Sequence, residues 1–146
     1  MPISTPHHSP EDLAAIVHEI FPYADNFGQL VGYTAQMVKA GEVLVSLKIE
    51  DKHLSPSGAA HGGVISTFVD FAMGAALFTV LPKGKKCSTI EFKINYFSPV
   101  RSGETIFARG KIKFSGKSHA VIESHVFREH EKKKDIAMAL GTYNIY

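Results

Sequence analysis

Cysteine and tryptophan are the scarcest residues in this chain of 146: Cys87 is the one cysteine, and tryptophan is absent. A single thiol cannot form an internal disulfide bond, and it cannot supply a metal site built from several cysteines. The histidines near the last strands, His119, His125 and His130, lack ligand spacing to a second cluster. We therefore predict no metal site.

An excess of charge of one sign is also lacking, because 16 Lys and Arg nearly balance 14 Asp and Glu. A net charge of +2 gives no reason to expect a nucleic-acid partner. Hydrophobic residues make up 45% and charged residues 21%, as in ordinary globular domains. This length and composition predict a single domain over 1–146.

The first residues lack the basic start and apolar core of a secretion signal, which predicts a cytoplasmic location. Residues 62–82 are long enough to span a bilayer, but Asp70 lies at their centre and lysines follow them, so we expect no membrane insertion. Residues 1–9 are expected to be a mobile tail. A Ser-Pro start and a helical apolar stripe predict a helix over 10–21.

The most informative stretch begins at Gly62 and predicts a long enclosed helix to about Val80. It is apolar nearly all round, has no proline, and carries one charge, Asp70. Small and polar residues lie three, four and seven positions from Asp70, and therefore on the same face: Gly63, Ser66, Thr67 and Gly74. A site is expected along this stripe.

His61, Gly62 and Gly63 form the head of this helix. Because the two glycines place no side chain over the first amides, a ligand oxygen can approach the free N–H groups there. Such amides suit a developing oxyanion. The alternative is that the glycines serve only tight packing and that His61 caps the helix.

Strands are predicted on both sides of the helix. Two precede it, over 29–38 and 42–49, with a turn at Ala40-Gly41. Four follow it, over 87–97, 104–114, 119–128 and 136–145. In the first of these four, alternation places Ile90, Phe92, Ile94 and Tyr96 on the core face. The order favours an α+β fold in which an antiparallel sheet curls around the central helix.

This order, the run His61-Gly62-Gly63 with Asp70 seven residues later, and a strand closing in Tyr96-Phe97-Ser98-Pro99 together resemble the PaaI-like group of hotdog-fold acyl-CoA thioesterases. The likeness extends from about Gly28 to the C-terminus. It implies a hotdog fold, hydrolysis of an acyl-CoA to a carboxylic acid and free coenzyme A, and no cofactor.

The resemblance also implies roles for single residues. Asp70 stands at the position of the family's general base or nucleophile, and the Gly62 amide at the position of the group that polarises the thioester carbonyl. His61 stands at the position of a residue that orients the loop and the substrate. Ser55 stands where the family often has Asn, and it is too short to reach as far. Thr89 stands where Ser is common and keeps a hydroxyl that can position water.

Further residues are expected at the substrate. Gly63, Ser66 and Thr67 follow the helix stripe, although helix hydroxyls commonly bond their own backbone. Gly116 and Lys117, in a predicted hairpin turn, are the candidates by resemblance for the phosphates of coenzyme A. Lys86 is expected to be a solvated charge.

Helix geometry adds an expectation of assembly. Gly62 and Asp70 are eight residues apart, which at about 1.5 Å per residue separates them by roughly 12 Å. If both serve one reaction, the acid comes from a second chain, and a twofold dimer provides this arrangement. The resemblance extends it to pairs of dimers. Two other functions stay open: a non-catalytic acyl-CoA sensor or carrier, and a hotdog dehydratase or hydratase with a histidine base.

Overall fold

The computed structural model describes residues 27–146, together with Glu11 and Ala15, which are both helical and exposed. The predicted tail over 1–9 and the rest of the helix predicted over 10–21 lie outside the described residues. No helix in the described part of the chain is long and apolar enough to cross a membrane.

Two α-helices and six strands make up the described fold. The helices are α1 (Phe27–Val31) and α2 (Gly62–Phe78). The strands are β1 (Tyr33–Lys39), β2 (Glu42–Lys48), β3 (Cys87–Tyr96), β4 (Thr105–Ser115), β5 (His119–Arg128) and β6 (Asp135–Ile145). Short 3₁₀ turns lie at Asp51–His53 and Glu129–Glu131.

The first strand begins later than predicted, since the chain over Phe27–Val31 is helical. Gly32 ends this helix with a φ of 97°, a conformation that side-chain-bearing residues rarely adopt. The strand therefore starts at Tyr33 and not at Gln29. Five residues are too few for the spacing of Phe27, Leu30 and Val31 to distinguish a helix from a strand in the sequence.

All six strands form one antiparallel sheet in the order β1-β2-β4-β5-β6-β3, and α2 packs against its inner face. The core forms where the apolar side of α2 packs against the inward-facing residues of the sheet. It includes Phe68, Val69 and Met73 of the helix and Val45, Ile106 and Ile122 of the strands. Glycine sets the closest approach: a Cβ at Gly110 would overlap the carbonyl oxygen of Ala72. The predicted α+β architecture is confirmed.

Strand β3 departs from the predicted alternation. Thr89 pairs with Tyr143 and Glu91 pairs with Thr142, so Ile90 is an extra residue in a β-bulge. Before the bulge Cys87 and Thr89 face the helix, whereas after it Phe92 and Ile94 pack against the core as predicted. Ile90 itself is 59% exposed instead of facing the core. Tyr96, at the end of the strand, is also exposed, at 50%.

Candidate active site

A cavity of about 1000 Å³ follows the polar stripe of α2, between the helix and the two edge strands. Seven aromatic residues contribute to its wall: Phe27, Tyr33, Phe71, Phe78, Phe92, Tyr143 and Tyr146. The polar lining residues are Ser66, Thr67, Asp70, Lys86, Cys87, Ser88 and Thr89. The cavity therefore suits a largely apolar group that must meet a carboxylate.

Asp70 is half-buried in this cavity, and its two oxygens differ. Oδ1 accepts hydrogen bonds from the Tyr143 hydroxyl at 2.6 Å and from the Thr89 hydroxyl at 2.7 Å. Oδ2 has no hydrogen-bond partner within the described ranges. One oxygen is thus held, and the other is available to take a proton or to attack a carbonyl.

Tyr143 was not among the residues predicted from the sequence. It is 2% exposed and lies on the inner face of β6 with Ala137 and Ala139. Burial, and then the hydrogen bond to Asp70, raises the pKa of Tyr143 far above its usual range, so the hydroxyl keeps its proton. A signal existed: a buried tyrosine needs a polar partner, and α2 carries one charge.

Thr89 reaches Asp70 because of the bulge in β3. The bulge turns Thr89 toward α2, where its hydroxyl donates to the carboxylate. The sequence predicted a hydroxyl that positions water. The structure brings this hydroxyl to the acid itself.

The head of α2 is held by the cap from His61 and by a hydrogen bond from Tyr96 of β3. His61 is the N-cap, and its Nδ1 accepts the Gly63 amide at 2.8 Å. The Gly62 amide has no partner in the part of the chain that the structure describes, while the Gly62 carbonyl accepts the Tyr96 hydroxyl at 3.0 Å. The Gly62 amide is therefore open to a ligand oxygen, whereas that of Gly63 is already bonded.

The remaining predicted residues fall into two groups. Ser66 and Thr67 line the cavity, but both hydroxyls donate to the Gly63 carbonyl, at 3.0 and 2.7 Å. Ser55 does not line the cavity, and its hydroxyl lies 2.7 Å from that of Ser57. Gly116 and Lys117, in the turn between β4 and β5, do not line the cavity either. The cavity thus gathers Asp70, Thr89, Ser66 and Thr67, and it does not include His61, Gly62 or Gly63.

Three residues that line the cavity were not among the predicted site residues: Cys87, Tyr33 and Lys86. Burial, and then the charge of Asp70, raises the pKa of the Cys87 thiol to about 11. The Tyr33 ring stacks on Phe71 with centroids 4.7 Å apart, and its buried hydroxyl has no hydrogen-bond partner among the residues that the structure describes. Lys86, expected to be a solvated charge, is exposed at the cavity wall. No cluster that could hold a metal ion is found among the described residues.

Residues 57–134 match the family model described as the thioesterase superfamily. Human acyl-coenzyme A thioesterase 13 is 31% identical over 98 residues, which are 66% of this chain and 69% of that protein.

Two solved structures extend the likeness to the fold. A Streptococcus mutans protein bound to acetyl CoA is 26% identical with a TM-score of 0.72, covering 79% of this chain and 89% of that one. A mutant of the phenylacetic acid degradation protein PaaI from Thermus thermophilus is 25% identical with a TM-score of 0.73, covering 81% and 96%.

Proposed function

The chain belongs to the thioesterase superfamily, and from this premise we propose that it hydrolyses acyl-CoA thioesters to a carboxylic acid and free coenzyme A. The family and the hotdog fold predicted from the sequence are confirmed. The observation that carries the activity is Asp70, with one oxygen held by two hydroxyls and the other open at an aromatic cavity. The name of the human relative and the acetyl CoA bound to the S. mutans protein support acyl-CoA as the substrate class.

The proposed reaction divides the work between the two parts of α2. The Gly62 amide, with no partner in the described structure, polarises the thioester carbonyl. Asp70 takes a proton from water, which attacks the carbonyl carbon. The C–S bond then breaks, and Asp70 returns the proton to the departing thiolate, which leaves as free coenzyme A. Alternatively Oδ2 of Asp70 attacks first, the C–S bond breaks to release the coenzyme A thiolate, and water then opens the resulting anhydride. No cofactor takes part in either route.

Other residues support the substrate in this proposal. His61 orients the head of the helix through the Gly63 amide, and Ser66 and Thr67 form part of the cavity wall. Gly116 and Lys117 remain the proposed contacts for the phosphates of coenzyme A. A cytoplasmic location also stays a prediction from the sequence.

We propose that the active form is a homodimer, in which the head of one α2 faces Asp70 of the other. Two observations support this: Gly62 is not among the residues that line the Asp70 cavity, and β3 is an edge strand whose one partner strand in the described part of the chain is β6. A second copy can pair along β3 and place its helix beside this one. Pairs of such dimers would form a tetramer.

His61 is poorly placed for the base of a dehydratase. Its Nδ1 accepts the Gly63 amide and is therefore not free to take a proton from a substrate. A sensor would bind acyl-CoA without releasing thiol, so an activity assay separates it from an enzyme.

Release of free thiol from a panel of acyl-CoAs tests the proposed activity. We expect wild-type turnover and a loss of about 10²-fold or more in kcat for Asp70→Asn, since a lost base costs that much. The matched control is Asp135→Asn, because Asp135 bonds His125 at 2.8 Å outside the cavity. Tight binding of acyl-CoA without thiol release would instead identify a sensor.

Mixing two inactive variants tests the shared site. Asp70→Asn damages one part and Gly62→Pro removes the amide of the other, so each mixed dimer should hold one intact site and one doubly damaged site. Up to about half of the wild-type activity per heterodimer should return. Verified heterodimers without recovery, from two variants that fold, would show that the residues do not act across two chains.

A further inference from the structure

Tyr143 and Thr89 both donate to Oδ1 of Asp70, and neither hydroxyl points at the open oxygen. We propose that Tyr143 is a positioning residue for the hydrolysis proposed above: together with Thr89 it clamps one carboxylate oxygen, so that Oδ2 alone faces the thioester or the attacking water. This inference rests on the proposed function, and it goes beyond it by assigning a task to a residue of the last strand.

The clamp follows from how β6 and β3 pair. Tyr143 and Thr89 are register partners in adjacent strands, which brings their side chains together at one point of the helix. The bulge at Ile90 is required as well, because without it the alternation would turn Ile90 toward α2 and Thr89 away. The two donors therefore converge on one oxygen through a specific irregularity of the sheet.

The Tyr143 side chain contacts α2 at more than one point. Its hydroxyl is 3.1 Å from the Asp70 carbonyl oxygen as well as 2.6 Å from Oδ1. Its ring lies against Gly74, one turn further along, where an added Cβ would be 3.6 Å from the Tyr143 Cε1 atom. With 2% of the residue exposed, the ring has little freedom to turn away.

Chemistry explains why the carboxylate needs such a clamp. A half-buried carboxylate loses hydration, and hydrogen bonds from neutral hydroxyls replace part of it. A carboxylate free to rotate would present either oxygen in several directions, and a small misplacement of a reacting group can lower the rate about a hundredfold. When Tyr143 and Thr89 hold Oδ1, Oδ2 is the oxygen left to react, and it points in one fixed direction.

Tyr143→Phe tests the proposal, because it keeps the ring and removes only the hydroxyl. We expect kcat to fall roughly 10- to 100-fold while KM changes by less than about threefold. In the Asp70→Asn background the same change should cause no further loss.

Tyr33→Phe is the matched control. Tyr33 lines the same cavity and stacks on Phe71 of the same helix, but its hydroxyl has no hydrogen-bond partner among the described residues. Any change in kcat caused by Tyr33→Phe should therefore be of the same size in the wild-type and the Asp70→Asn backgrounds. A Tyr143→Phe enzyme with wild-type kcat would overturn the proposal, as would a loss of equal size with and without the Asp70 carboxylate.

The Thr89 side of the clamp keeps the proposal testable if Tyr143→Phe does not fold. Thr89→Ser retains the hydroxyl and should keep kcat within about threefold, whereas Thr89→Val should lose roughly tenfold in kcat with KM nearly unchanged. Equal rates for the two Thr89 variants would contradict the clamp. A wild-type enzyme that hydrolyses no acyl-CoA would refute the proposed function itself, and active variants without these differences would refute only the clamp.

Discussion

The head and the middle of α2 are built in different ways. At the head, the cap is local, because His61 accepts an amide two residues away, although Tyr96 of β3 also bonds the Gly62 carbonyl. The neighbouring Gly62 amide has no partner among the described residues. In the middle, Asp70 is held by side chains 19 and 73 residues away in the sequence. The local cap and the acid held by distant strands can therefore be damaged separately.

The largest loss of stability is expected at Gly110, where strand β4 packs against the middle of α2. Gly110→Ala would drive a methyl group into the Ala72 carbonyl, two residues from Asp70. We expect a loss of about 3 kcal/mol in the free energy of unfolding, at the upper end for an overpacked core, measured by urea denaturation.

Gly74→Ala is the control for this change, since its Cβ would make an ordinary contact of 3.6 Å with Tyr143. In a helix interior this substitution should stabilise by about 0.5–1 kcal/mol. Equal stability of the two variants would mean that α2 can shift away from β4 without cost.

A smaller effect is expected at the head. A Cβ at Gly63 would lie 2.9 Å from Nδ1 of His61, so Gly63→Ala should displace the cap. Loss of a cap costs about 1 kcal/mol, which corresponds to roughly 3 °C in Tm for a chain of this size. A Cβ at Gly62 would be 3.5 Å from the Tyr96 ring, so Gly62→Ala should keep the cap and melt at a higher temperature than Gly63→Ala. The reverse order would show that the His61 bond does not stabilise the head.

The smallest expected effect is a change in the pKa of Cys87, which depends on the charge of Asp70 in the middle of α2. Burial and the Asp70 charge together raise the pKa of Cys87 to about 11, so thiolate is scarce at neutral pH. Asp70→Asn removes the negative charge, which should lower the thiol pKa and move the pH dependence of iodoacetamide alkylation to lower pH. Burial remains, so the midpoint should stay above the ordinary value of 9.0. An unchanged curve would mean that no charged carboxylate acts on the thiol.

The parts of the site that follow from local pattern were accessible from the sequence. The apolar run with one acid identified α2 and Asp70, and the glycines after His61 identified an open amide. Tyr143 was missed because its importance depends on which strand lies beside β3. The inward turn of Thr89 could not be read either, since a bulge is a property of two paired strands and not of one.

By itself the sequence determined the order of the six strands and the central helix, and the residue types along the polar stripe of that helix, because helix and strand periods are short-range properties. Tertiary structure alone decided that Gly110 lets the helix approach β4, that the register of β6 with β3 joins two hydroxyls on one carboxylate oxygen, and that the head of the helix stays outside the cavity. The reason is physical: these contacts join residues far apart in the chain, and their geometry exists only once the sheet has closed around the helix.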